Sequence, residues 1–118
     1  MVINMLHGNY RDVEDEKFDD YGSVGSSIRW LISKNKGAPN FAMRILTVEE
    51  GGHIGLHEHS NEHEIFILKG KCRVETKDET VDLNEGDYIL VPEKHGLHGF
   101  RNVGTGTLQF ICCVPNPK

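Results

Sequence analysis

The chain has 118 residues and a formal net charge of -5, a length that supports one domain with a single core. Acidic residues crowd its start (Asp12, Glu14, Asp15, Glu16, Asp19, Asp20) and no Lys/Arg stripe occurs, which argues against nucleic acid and anionic membrane surfaces as partners. No apolar stretch suits a bilayer, MVINMLHGNY lacks the pattern of a signal peptide, and Cys72, Cys112 and Cys113 form neither a C-x-x-C nor an even disulfide set, so a cytoplasmic protein is expected.

Residues 1–22 are polar and weakly periodic, an expected N-terminal arm with room for one short strand. SSIRWLIS (26–33) alternates as a strand, and KNKGAPN (34–40) reads as the turn after it. FAMRILTVE is the next strand, with a turn expected at EGG. EIFILKGKCRVET breaks at Lys69-Gly70, KDE leads into TVDL, NEG leads into DYILV, and VGTG separates HGFRN from TLQFICCV. Short strands at regular spacing predict an all-β, antiparallel sandwich or barrel over residues 23–118. No helical period competes with that pattern.

HEHSNEHEIFILKG (57–70) places His57, His59 and His63 within seven positions. On a strand, His57 and His59 would share a face, so that two imidazoles converge on one ion. His63 follows a polar loop that can bend back to offer a third ring. Each histidine alone is ordinary, and a solvated loop explains the group only as an accident. A structural zinc site would more usually contain cysteine. In the second half, GDYILVPEKHGLHGFRN carries His98, which could face His57 and His59 across a closed sheet. His95, in the EKHG turn, is its rival. His53 reads as loop surface close enough to support the cluster, and His7 carries no signal.

These residues resemble the cupins, small β-barrels that hold one metal inside. The first cupin motif, G-x5-H-x-H, a gap of three or four, E, x6, G, is matched by Gly51, His57, His59 and Gly70. The second, G-x5-P-x-G-x2-H-x3-N, is matched by Gly86, Pro92, His98 and Asn102. APNFAMRILTVEEGG and the C-terminal run further resemble small prokaryotic single-domain cupins with an all-histidine site. The resemblance implies a jelly-roll barrel (a double-stranded β-helix) in residues 23–118, and one divalent transition metal per chain: Mn, Fe, Cu, Zn or Ni. Two departures stand out. His63 occupies the family's glutamate slot, with Glu64 one step beyond as the alternative ligand. His98 also lies one residue further from Pro92 than the motif prescribes, with Gly96 displaced to match, which alters the loop beside the site.

The ligand set is therefore expected to be His57, His59, His63 and His98. Four neutral imidazoles leave an ion its full charge and suit zinc, copper, iron or nickel. Alternation in LQFICCV turns Phe110 and Cys112 inward, where plain core packing is the competing explanation. A nearby cation would favour the Cys112 thiolate, making it the first cysteine to meet an oxidant. Arg44 interrupts an apolar strand, either as a surface or dimer contact or as an anchor for a substrate carboxylate or peroxide. Trp30 and Phe41 are assigned to the core or a subunit interface. The resemblance implies an oxidoreductase, dioxygenase-like or peroxide-using, acting on a small organic substrate. A metal-dependent binding or sensing module and a sugar isomerase are the alternatives. Apolar residues on both faces of the strand from 64 (Phe66 and Leu68 against Ile65 and Ile67) predict a homodimer.

Overall fold

The structure, a computed structural model, describes residues 4–116. Nine strands form one nearly closed antiparallel barrel: β1 (Glu16–Phe18), β2 (Val24–Ile32), β3 (Phe41–His57), β4 (His63–Lys69), β5 (Cys72–Thr76), β6 (Thr80–Leu83), β7 (Tyr88–Val91), β8 (His98–Asn102) and β9 (Leu108–Pro115). The hydrogen-bonded order is β6-β5-β8-β3-β9-β4-β7, with β2 on β3 and β1 on β2. This is the antiparallel barrel that the strand spacing allows, in the jelly-roll form that the family resemblance implies. β6 and β7 are the two ends of the order, and among the described residues they do not pair with each other. Among the described residues no helix is long and apolar enough to cross a membrane.

The strand boundaries follow the sequence punctuation closely, with one exception. EGG does not reverse the chain. β3 continues through it for 17 residues, because pairing resumes on the far side: β2 steps two residues, Ser26 to Val24, while β3 advances five, Val48 to His53. The surplus residues bulge outward at Gly51, whose φ of +79° suits a residue without a Cβ. The bulge also lets one strand serve two neighbours. Phe41–Val48 pairs with β9, and His53–His57 pairs with β8.

Alternation along β3 and β9 sorts the side chains. Leu46, Val48, Leu108, Phe110 and Cys112 face the interior, where they pack with Ile65, Ile67, Val74 and Phe100 from the other strands. Phe110 is 1 % exposed and Cys112 2 %. Trp30 packs against this core, whereas Phe41 is 66 % exposed and takes no part in it. Asn102, the last residue of the second motif, ties the barrel's far end. Its amide donates to the carbonyls of Val48 and Gly106, both at 2.9 Å, and its oxygen accepts from the Gly104 amide at 3.0 Å. Both of its polar ends are thus satisfied, as a buried amide requires. The N-terminal segment joins the barrel through β1, which pairs with Ser26–Ile28.

Candidate metal centre

The last residue of β3 and the first of β8 are direct partners: His57 opposes His98. Their ring centroids lie 4.8 Å apart. The two histidines are therefore neighbours on one sheet and do not meet across the interior. His59 reaches the same point by a different route from the strand-face rule. β3 ends at His57, and His59 sits in the following loop, which turns its ring back to within 4.5 Å of His98 and 5.6 Å of His57. One ring nitrogen from each of His57, His59 and His98 lies within 4.8 Å of the others.

The orientation of each ring is fixed by a backbone carbonyl. Nδ1 of His57 lies 2.8 Å from the Gly55 oxygen, Nδ1 of His59 2.8 Å from the Asn61 oxygen, and Nδ1 of His98 3.0 Å from the Gly96 oxygen. A carbonyl only accepts, so each Nδ1 must carry the proton and donate. Each Nε2 is left with a bare lone pair. The Nε2 atoms of His59 and His98 are buried and have no partner, a costly state for a polar atom in a protein interior. Three lone pairs facing one point, two of them otherwise unsatisfied, fit a divalent metal of the imidazole-binding kind.

Burial also favours the neutral ring at His59, His63 and His98. It holds His98 down to about 4 and His63 down to about 3, and it lowers His59; neighbouring histidines add to the effect at all three, and Arg44 at His59 and His63. Protons therefore compete little for the His59 and His98 lone pairs near neutral pH.

His63 stands beside this group. It opens β4 on the same face as Ile65 and Ile67, and its ring stacks flat on His59 at 3.6 Å between centroids, 6.3 Å from the ring of His98. Its Nδ1 is 3.4 Å from Cys112 Sγ. Glu64, the alternative in the glutamate slot, is exposed on the outer face. Arg44 enters the barrel next to Cys112 and donates from Nη2 to its sulfur at 2.9 Å. Burial pushes the Cys112 thiol up, although the Arg44 cation beside it pulls the other way. His95 is exposed in its turn. His53 pairs with Val24 and Arg101 on β3, outside the cluster. His7 lies in the N-terminal segment.

A further contributor carries no sequence signal of its kind. Tyr21, at φ +59°, stacks on His57 with centroids 4.5 Å apart and planes at 11°. The chain around it is fastened at Gly55, whose amide donates to Ser23 Oγ at 3.0 Å. Gly55 is small by necessity, since a Cβ there would lie 1.8 Å from the Tyr21 carbonyl oxygen. A cavity of about 210 Å³ opens at the seam between β6 and β7, lined by Val74, Val81, Ile89 and Val91 together with the polar Thr76, Glu79, His95 and His98. It leads apolar surface up to one of the three imidazoles.

Comparison with known proteins agrees with this architecture. The Cupin domain family matches residues 44–114. An uncharacterized protein of Methanocaldococcus jannaschii is 33% identical over 96 residues, 79% of this chain and 75% of that one. Among solved structures, the polyketide cyclase RemF from Streptomyces resistomycificus superimposes with a TM-score of 0.89 at 28% identity, covering 97% of this chain and 81% of that one. A predicted oxalate decarboxylase from Thermotoga maritima gives 0.80 at 22% identity, covering 95% and 100%.

The Tyr21 strap yields a test that leaves every imidazole in place. Gly55→Ala forces the Tyr21–Ser23 segment off the barrel and frees the His57 ring. Overpacking of this kind costs about 1–3 kcal/mol. Urea titration should show that loss, and zinc titration should show weaker binding than wild type. Wild-type values for both would mean that the segment does not hold His57.

Proposed function

Because this chain belongs to the cupin domain family, we propose that it is a metal-dependent enzyme acting on a small organic substrate. Its metal is one divalent transition ion per chain, held by His57, His59 and His98 through Nε2, with His63 as the fourth donor. The observation that carries this reading is the trio of carbonyl-locked rings, which turns three neutral lone pairs to one point. A divalent ion bound there keeps its full charge, polarises a substrate oxygen, and, where it is redox-active, exchanges electrons as well.

The protein's own groups set the terms of that chemistry. The three backbone carbonyls hold the imidazole tautomers, and Tyr21 holds the plane of His57. The largely apolar cavity at the seam would seat the non-reacting part of a substrate beside His98. Polar chemistry at a carbonyl or carboxylate oxygen is favoured by the likeness to a polyketide cyclase over 97% of the chain. An oxidoreductase, dioxygenase-like or peroxide-using, is the second reading, supported by a neutral donor set that suits iron and copper.

Elemental analysis of protein loaded in turn with zinc, manganese, iron, copper and nickel tests the centre, and an oxygen electrode separates the two reactions. One ion per chain, lost in His98→Ala, is the expected result. Oxygen uptake, or consumption of added peroxide, by the iron or copper form with small carbonyl compounds would select the oxidoreductase, and the absence of both the polar reaction. Full metal content in His98→Ala would contradict the site itself.

The same reading includes a homodimer. Phe66 is 44% exposed, Leu90 54% and Tyr88 80%, all on the outer face of β4 and β7, where Phe66 and Tyr88 are direct partners. A contiguous apolar patch on a small soluble domain calls for a cover, and a second copy of the chain supplies it. Sedimentation at micromolar concentration should give a dimer mass that falls toward monomer in Leu90→Glu. A wild-type monomer would overturn the assignment.

A further inference from the structure

Arg44 is a cation placed among neutral groups. It projects from β3 into the barrel between Trp30, its partner on β2, and Cys112, its partner on β9. Its guanidinium carbon lies 5.2 Å from the Trp30 ring centroid. Nη2 donates to the Cys112 sulfur, a weak acceptor, and Nε is buried with no partner. The ion pairs among the described residues engage Lys17, Arg29, Arg73 and Arg101, and Arg44 belongs to none of them. The residue is only half-buried, but its Nε is shielded from water and has no acceptor among the described residues. An anionic ligand would supply that acceptor.

The position says what kind of anion. Cys112 Sγ, which Arg44 touches, also lies 3.4 Å from His63 Nδ1, and His63 stacks on His59. A continuous line of contacts therefore runs from the guanidinium to the imidazole cluster. We propose that Arg44 binds the carboxylate of the substrate, so that the substrates of this protein are small organic acids held with the acid group at Arg44 and a second oxygen toward His57, His59 and His98. The planar guanidinium suits this role, because its Nε and Nη protons match the two oxygens of a carboxylate. The second half of the proposal rests on the metal reading; the acid-binding half stands on Arg44 alone.

That separation shapes the experiment. Acetate and its neutral analogue acetamide are titrated into metal-free protein while the Arg44 Nε–H signal is followed by nitrogen-15 NMR, assigned by its loss in Arg44→Lys. Acetate should shift the signal saturably and acetamide should not. Arg44→Gln should weaken acetate binding by about tenfold or more, the loss expected for a charge-assisted hydrogen bond. Arg44→Lys, which retains the charge but not the fork, should fall between the two. The amide spectrum of each variant reports that it is folded. An unmoved Arg44 signal, or equal acetate affinity in Arg44→Gln, would overturn the proposal. So would a wild-type protein that ignores acetate when Cys112→Ala responds to it, because the thiolate would then be the counter-ion. Zinc-loaded protein forms the second arm. Failure to take up zinc would strike the metal reading and leave the acetate result standing.

Discussion

Imidazoles packed with centroids 4.5 to 5.6 Å apart cannot share that space as cations. The barrel eases the conflict by shielding His59 and His98 from water and by giving each Nδ1 a backbone carbonyl. Burial disfavours the charged form of those two rings, and the carbonyl decides which nitrogen of a neutral ring keeps its proton. The rest of the site depends on this constraint. A different tautomer at any of the three positions would point a hydrogen, instead of a lone pair, at the common centre. The carbonyls come from Gly55, Asn61 and Gly96, two of them glycines whose place in the chain is set by strand bulging and by the turn before β8.

β3 is the element through which the fold meets that constraint. It carries Arg44 near its start and His57 at its end, and the outward bulge at Gly51 lets the two halves pair with different strands. The first half places Arg44 against Cys112. The second places His57 against His98. One long strand thus fixes the distance between the cationic and the imidazole ends of the interior, and β9 and β4 complete the path between them through Cys112 and His63.

Much of this was legible in the sequence. Turn punctuation located the strands from β4 to β9, because Gly, Asn and Asp clusters there coincide with real reversals. Alternation put Phe110 and Cys112 inside, and motif spacing picked out His57, His59 and His98. EGG misled because a glycine bulge within a strand and a turn between strands use the same residues. His59 arrives in the cluster by loop geometry, which strand periodicity does not encode. Tyr21 was beyond reach for a different reason: its contact with His57 is a packing event between segments 36 residues apart in sequence, and no motif records it.

The site depends on which nitrogens carry protons. Long-range hydrogen–nitrogen correlation NMR on metal-free protein near neutral pH reads this ring by ring. His59 and His98 should each show a protonated Nδ1 and a bare Nε2, and the neutral form of His57 should show the same tautomer. Protonated Nε2 atoms in these rings would mean that the three lone pairs do not converge and that the interior is not built to hold a metal.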